Sequence, residues 1–148
     1  MPLPSVVASV ADELRIVTGR TIIVRESGDL EGEWDPQLLG AALSNVLANA
    51  AEHAFSGTPI VLTLRGDADE VICDVTNQGN AIPPDVIHSL FEPFRQLDPL
   101  AHRDHGNLGL GLYIAHEIIA AHGGAIHASS SGCRTTFTFE LPRKARAS

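Results

Sequence analysis

The sequence predicts an α/β fold: a two-layer sandwich in which a mixed, mostly antiparallel sheet of about five strands is covered on one face by helices. Three observations lead there. Segments of helical and of strand periodicity interleave in the order α-β-α-β-β-α-loop-α-β-β. Two pairs of alternating segments are joined by short turns of hairpin composition. The 148 residues are 44% apolar and 19% charged, enough for one ordinary core, which excludes a disordered or fibrous chain and leaves no room for two catalytic domains.

The elements follow in order. Residues 5–18 carry Val6, Val10, Leu14 and Val17 at steps of three and four, an amphipathic helix with Ser5 placed to cap it and Gly19 to stop it. Residues 21–25 are β-branched and read as a strand; after the turn Ser27-Gly28-Asp29, a short extension to Trp34 is expected to pair with it. Asp35 and Pro36, a cap and a first-turn proline, open a long helix to about Ala54 that buries Leu39, Leu43, Val46, Leu47 and Ala50. Residues 59–65 and 71–76 alternate around Gly66-Asp67-Ala68-Asp69 and should be antiparallel neighbours. Pro83-Pro84-Asp85 starts a short helix to about Phe91. Residues 92–108 then have no period, and an unpatterned stretch of that length in a small domain is usually functional. Gly109 begins a helix that ends at His122-Gly123-Gly124. Residues 125–130 and 135–141 form a last hairpin around Ser131-Gly132, and residues 143–148 form a frayed basic tail.

Charge and cysteine content narrow the function. Lysine and arginine number 10 against 18 acidic residues, a formal charge of −8 and a pI near 5.2. That balance disfavours nucleic acid and anionic lipid as partners and favours small molecules and proteins. Cys73 and Cys133 sit far apart in alternating runs, so neither a disulfide framework nor a zinc site is expected, and a reducing, cytoplasmic setting fits. No run reaches 18 apolar residues and no secretion signal opens the chain, so direct membrane insertion is not expected. His88, His116, His122 and His127 lack partners at ligand spacing and read as surface histidines.

Three motifs carry chemistry. The long helix stacks Asn45 and Asn49 at i and i+4, with His53 one step further. Asparagine is a poor helix former, so the pair either faces solvent or offers amide oxygens to a hard cation such as Mg²⁺. Asn77-Gln-Gly79-Asn-Ala81-Ile82-Pro83 follows a strand and reads, by itself, as a polar turn. Gly106-Asn-Leu-Gly109-Leu-Gly111-Leu112 lies at a helix N-terminus, where free backbone N–H groups favour an anion such as phosphate. No Gly-Lys-Ser/Thr follows it, as a Walker A loop would require.

In this order and spacing the three motifs resemble the four-box signature of the histidine-kinase-like ATPase superfamily. Asn45 to Ala50 resembles its N box, Asn77 to Pro83 the first glycine box, Leu90-Phe91-Glu-Pro-Phe94 the F box, and Gly109-Leu110-Gly111-Leu112 the second glycine box. The likeness runs from about Val6 to Pro142 and, in His53 and the wording of Gly109 to Ile114, is similar to phytochrome-type sensor kinases. Departures are Asn77 where the family has Asp, Ala81 and Asn107 where it has Gly, and Glu52 in place of a basic residue.

The resemblance implies a Bergerat-type fold, the catalytic ATP-binding domain of a bacterial sensor histidine kinase, taking up the whole chain with residues 92–108 as an ATP lid. It implies ATP and Mg²⁺ as cofactors, with Asn49 as the Mg²⁺ ligand and Asn45 and His53 near the phosphates. Asn77 would face the adenine amino group in a box shared with Gly79, Ala81 and Ile82. Gly109, Leu110, Gly111 and Leu112 would approach the triphosphate, and Thr135 would line the adenine pocket. Phe91 and Phe94 would anchor the lid by packing, and Arg95 or Arg103 would reach the γ-phosphate. In hydrolysing relatives a glutamate stands where this chain has Asn45, so no general base is implied here. None of the seven histidines lies in the family's phosphoacceptor pattern. The implied partners are therefore a dimerisation and phosphoacceptor domain elsewhere and a downstream response regulator, the chain being a fragment or a stand-alone module. A degenerate nucleotide-binding or protein-interaction module and an anti-sigma-type serine kinase are the alternatives.

Overall fold

A proline near the start and a glycine at the end frame the first helix of the computed structural model, which describes residues 1–92 and 110–144. Helix α1 (Leu3–Thr18) carries Pro4 in its first turn, where a missing N–H costs nothing, and Gly19 at φ 70° donates its N–H to the Arg15 carbonyl. The helix begins two residues before the expected start, so Ser5 lies inside it and caps nothing; Pro2 stands at the cap position without a side-chain bond. Helix α2 (Pro36–His53) begins as expected, with Asp35 Oδ1 accepting from the N–H groups of Gln37 at 2.9 Å and Leu38 at 3.1 Å. Helix α3 spans only Pro84–Ile87. Beyond it, bonds such as Ser89 N–H to the Val86 carbonyl and Glu92 N–H to the Ser89 carbonyl are of the i to i+3 kind, so the chain proceeds in turns and the expected helix to Phe91 does not form. Helix α4 is Gly111–Ala121.

The strands are β1 (Ile22–Ser27), β2 (Ile60–Gly66), β3 (Glu70–Gln78), β4 (Ala125–Ser131) and β5 (Arg134–Pro142), in the sheet order β1-β2-β3-β5-β4. Strands β1 and β2 run parallel and every other pair is antiparallel. The parallel pair needs a crossover, and α2 supplies it. Alternation sorts the sheet's faces. Leu62, Leu64, Val71, Val75, Phe137 and Phe139 turn inward and are buried with the apolar stripes of α1, α2 and α4. The opposite face is polar, with Thr76 Oγ1 3.1 Å from Thr136 Oγ1 and Thr138 Oγ1 donating to Asp74 Oδ1 at 2.7 Å. Cys73, inside the core, has its thiol pushed up to about 12 by burial and by the neighbouring Asp74, so it is no nucleophile.

The segment after β1 differs from expectation. Gly28 at φ 78° turns the chain so tightly that a Cβ there would lie 2.5 Å from the Gly66 carbonyl oxygen. The chain therefore leaves the β1 edge instead of folding back along it. Residues 29–34 bridge the two ends of the chain: Leu3 N–H donates to the Leu30 carbonyl, Glu33 N–H to the Arg143 carbonyl, and Trp34 Nε1 to the Pro142 carbonyl at 2.8 Å. Arg143, expected at the start of a frayed tail, is anchored instead, donating to the carbonyls of Asp29 at 2.6 Å and Glu31 at 2.8 Å. His122 is half-buried and likewise engaged. Its Nε2 accepts the Asp35 N–H at 3.1 Å, which places the ring proton on Nδ1, 2.8 Å from the Ile118 carbonyl. The imidazole thus ties the end of α4 to the start of α2.

Trp34 is buried, and its indole N–H is the group that satisfies the Pro142 carbonyl. Trp34→Phe keeps most of the ring and removes that donor, so urea denaturation should report a loss of about 1–3 kcal/mol. A loss below a few tenths would mean that water replaces the bond.

Candidate functional site

The buried stripe of α2, from Leu39 to Ala51, faces the core, and its helical rotation leaves Asn45 and Asn49 half-buried at the flank. Neither side-chain amide makes a hydrogen bond to a described residue. Helix α4 packs beside α2, and the missing Cβ of Gly111 would lie 3.8 Å from Asn45 Cγ. That is ordinary van der Waals distance, so protein packing leaves room for a side chain at position 111. At the start of α4, Leu110 provides no side-chain cap, and the first-turn N–H groups are left for another acceptor.

The far end of α2 is stitched to the end of β3. Phe55 N–H donates to the Gln78 carbonyl at 2.7 Å, and Ala54 and Gly79 form an isolated antiparallel bridge. A Cβ on Gly79 would stand 2.5 Å from the His53 carbonyl oxygen and 3.2 Å from Asn77 Nδ2. Glycine is therefore required at 79 by the backbone approach itself. His53, Asn77 and Gly79 are brought together in this way, and Asn45 meets Gly111 through α2.

Across the sheet, register places Asn77 opposite Thr135 and Thr135 opposite Ser130. Asn77 and Thr135 are 3% and 4% exposed, the only buried polar residues among the described ones, and they lie where the apolar face ends beyond Val75 and Phe137. The Asn77 amide has no described hydrogen-bond partner. Ser130 Oγ accepts from the Ile82 N–H at 2.9 Å and from Thr135 Oγ1 at 3.4 Å, so it fixes the loop after β3 over this polar row. Sequence reading passed over Ser130, although extending the β4 alternation of Ile126 and Ala128 by one step puts it on the same face.

The remaining expected residues are placed unequally. Ile82 and Leu112 are half-buried against the core, whereas Ala81 is exposed. The Phe91 ring stacks on His116 at 5.7 Å and meets Phe137 edge-on at 6.3 Å. His116 is thus half-buried in a ring contact and, like His122, is not a simple surface histidine. Phe94, Arg95, Arg103, Asn107 and Gly109 lie outside the described residues, with most of the 92–108 segment.

Among the described residues there is no group of three or more His, Cys, Asp or Glu side chains that could hold a metal. The donor set at Asn49 is one neutral amide oxygen. That fits Mg²⁺ only in the form in which this ion usually binds, with waters and substrate phosphates completing its shell. Among the described residues, no helix is long and apolar enough to cross a membrane.

A family model for histidine kinase-, DNA gyrase B- and HSP90-like ATPases matches residues 34–145. The chain belongs to this family. Among its relatives, the sensor protein VanS of Enterococcus faecium is 39% identical over 84% of this chain and 32% of its own length. A bacteriophytochrome of Pseudomonas aeruginosa is 34% identical over 73% of this chain and 15% of its own. The chain thus spans a third or less of these relatives. Among solved structures, a mycobacterial sensor histidine kinase, MprB, superposes with a TM-score of 0.84 at 25% identity, covering 99% of this chain and 97% of that one. The catalytic domain of histidine kinase ThkA does so at 0.83 and 25%, covering 98% and 95%. The α/β sandwich is that of histidine kinase catalytic domains, and the family is one of ATP-binding domains.

The two glycines make opposite predictions. Gly79→Ala drives a methyl into the His53 carbonyl and should cost several kcal/mol, on the order of other strained backbone sites. Gly111→Ala meets only ordinary contacts and should leave stability within about 1 kcal/mol of the starting protein, with any change in the stabilising direction. Chemical denaturation of both variants checks the pair.

Proposed function

We propose that residues 1–148 act as one catalytic, ATP-binding unit of a two-component sensor histidine kinase, passing the γ-phosphoryl group of Mg-ATP to a histidine held on a separate dimerisation domain. The observation that carries this is the pair of unengaged amides, Asn45 and Asn49, on the side of α2 that meets the uncapped start of α4. A solvated helix face needs no such alignment of acceptors with donors. A triphosphate with its cation has use for both.

Each residue has a task in this reading. Asn49 offers its amide oxygen to Mg²⁺, and Asn45 and His53 border the phosphates. Leu110, Gly111 and Leu112 present backbone N–H groups to the triphosphate, and the free space at Gly111 lets the phosphates approach the helix axis. Asn77 reads the base edge, with Thr135, Ala81 and Ile82 lining the same pocket and Gly79 holding its wall. When bound, Mg²⁺ neutralises charge on the phosphates and orients them for in-line displacement. The protein contributes position, charge neutralisation and exclusion of water, and the attacking nucleophile is a histidine of the partner domain. Phe91 fixes the first residues of the lid, Phe94 continues that anchor, and Arg95 or Arg103 contacts the γ-phosphate from residues 92–108. The partners are the phosphoacceptor domain and, downstream, a response regulator, in a cytoplasmic setting.

Asn49→Ala removes the metal's amide oxygen from a half-buried position that carries no hydrogen bond to a described residue. Calorimetric titration should show Mg-dependent ATP binding lost while the thermal midpoint stays within a few degrees, because such a truncation contributes little to stability. Unchanged Mg-ATP affinity in this variant would remove Asn49 from the site.

Base selectivity follows from position 77. A carboxylate there only accepts, so it pairs with an amino group and repels a carbonyl oxygen. An amide turns to satisfy either. This chain should therefore discriminate ATP from GTP weakly, and Asn77→Asp should sharpen the preference by about 1–2 kcal/mol, the cost of one mismatched buried polar group. Competition of GTP against a fluorescent ATP analogue measures it; equal rejection of GTP by both proteins would mean that other contacts read the base.

A further inference from the structure

Arginine is always charged and carries five donors, so an arginine without partners is conspicuous in a folded protein. Six arginines fall among the described residues. Three are engaged. Arg15 bonds Asp12 and the Ile22 carbonyl, Arg20 the carbonyls of Ala54 and Phe55, and Arg143 those of Asp29, Glu31 and Asp67. The other three, Arg25, Arg65 and Arg134, make no hydrogen bond or ion pair to any described residue. Strand alternation puts all three on the sheet face away from the helices, since Leu62, Leu64 and Thr135 point inward.

That face is hollowed. A concavity of about 250 Å³ is lined by Arg25, Thr63, Thr76, Asn77, Gln78 and Arg134 among others, and none of its lining residues is acidic. Two of the three unengaged guanidinium groups therefore border one depression whose other polar residues are threonines and carboxamides. Asp74, on the same face, is occupied by Thr138, and Glu140 lies 3.3 Å from His127; neither lines the hollow. In a chain with a formal charge of −8, this is a local reversal of sign.

We propose that this hollow binds a small ligand carrying two or more oxyanion groups, carboxylate or phosphate, gripped by Arg25 and Arg134. Guanidinium forks match such oxyanions in bidentate geometry, and Thr63, Thr76 and Gln78 supply further donors. No aromatic residue is among the lining residues to stack on a base, which favours a compact polyanion over a nucleotide. Asn77 is common to the lining of the hollow and to the row it forms with Thr135 and Ser130, whose side chains alternation turns to the opposite face of the sheet, so the two sites lie back to back across β3.

The test is titration with citrate, pyrophosphate and acetate at fixed ionic strength without divalent metal, followed by amide ¹H–¹⁵N spectra. Citrate or pyrophosphate should give saturable shifts at Arg25, Thr63, Thr76 and Arg134; the tighter of the two names the preferred oxyanion, and acetate should bind far more weakly. Arg25→Gln and Arg134→Gln should each weaken binding about tenfold, as expected for a charge-assisted contact. Arg65→Gln removes the same charge from the same face outside the hollow and should change nothing. Non-saturating shifts, or equal weakening by Arg65→Gln, would reduce the effect to general charge attraction and overturn the proposal. Saturating Mg-ATP should leave citrate binding intact whether or not the nucleotide reading holds, and displacement of citrate by ATP would also overturn it.

Discussion

The contact on which the site depends is the backbone approach of Gly79 to His53. It clamps the end of β3 to the end of α2, and a methyl at position 79 would break it. With its far end held there, and its start held by the Asp35 cap and the His122 tie, α2 has no freedom to rotate about its axis. Its buried stripe then decides what the flank presents. Asn45 faces the start of α4, and Asn49 lies one turn on along the same flank, because Leu43, Val46, Leu47 and Ala50 must point into the core. The polar site is thus a by-product of apolar packing plus one glycine, which is how a small domain can position unengaged amides without a hydrogen-bond network to hold them.

Among the described residues, engagement separates polar groups that hold the fold from those of the proposed site. Asp35, Trp34, Ser130, His122 and Arg143 have partners and lock loops or helix ends. Asn45, Asn49 and Asn77 have none among the described residues, though Asn77 is almost fully buried. An amide held at such a position without a described protein partner is available to a ligand that supplies one.

Much of this was legible in the sequence, for identifiable reasons. Asp35-Pro36 and Gly19 are local punctuation with a single physical meaning, so α2 and the end of α1 came out where the residues put them. Alternation identified β2, β3, β4 and β5, because one face of each is buried and period two is then strict, and β-branched composition identified β1. The glycine and asparagine boxes were visible through their resemblance to a known family, whereas composition and spacing alone left each of them ambiguous. What escaped was non-local. The route of residues 28–34 is set by Gly28 meeting Gly66, about forty positions away in sequence. Ser5 looked like a cap from its place before the apolar period, whereas the helix already starts at Leu3 with Pro4 in its first turn. His122 and Arg143 are fixed by partners some ninety and one hundred and ten positions away. The parallel pairing of β1 with β2 likewise needs the crossover geometry of α2, which no window of sequence contains.

The central claim is that the Asn45–Asn49 flank of α2, the start of α4 and the Asn77 row form one nucleotide site. The most direct measurement is a set of side-chain amide spectra of the protein with and without Mg-ATP, with the asparagine NH₂ resonances assigned by substitution. The account predicts large shifts at Asn45, Asn49 and Asn77 together with the Gly111 backbone amide, all saturating at one common concentration, while Arg25 and Arg134 on the opposite face stay still. Shifts confined to the open face, or asparagine amides that remain unmoved while ATP binds, would contradict it.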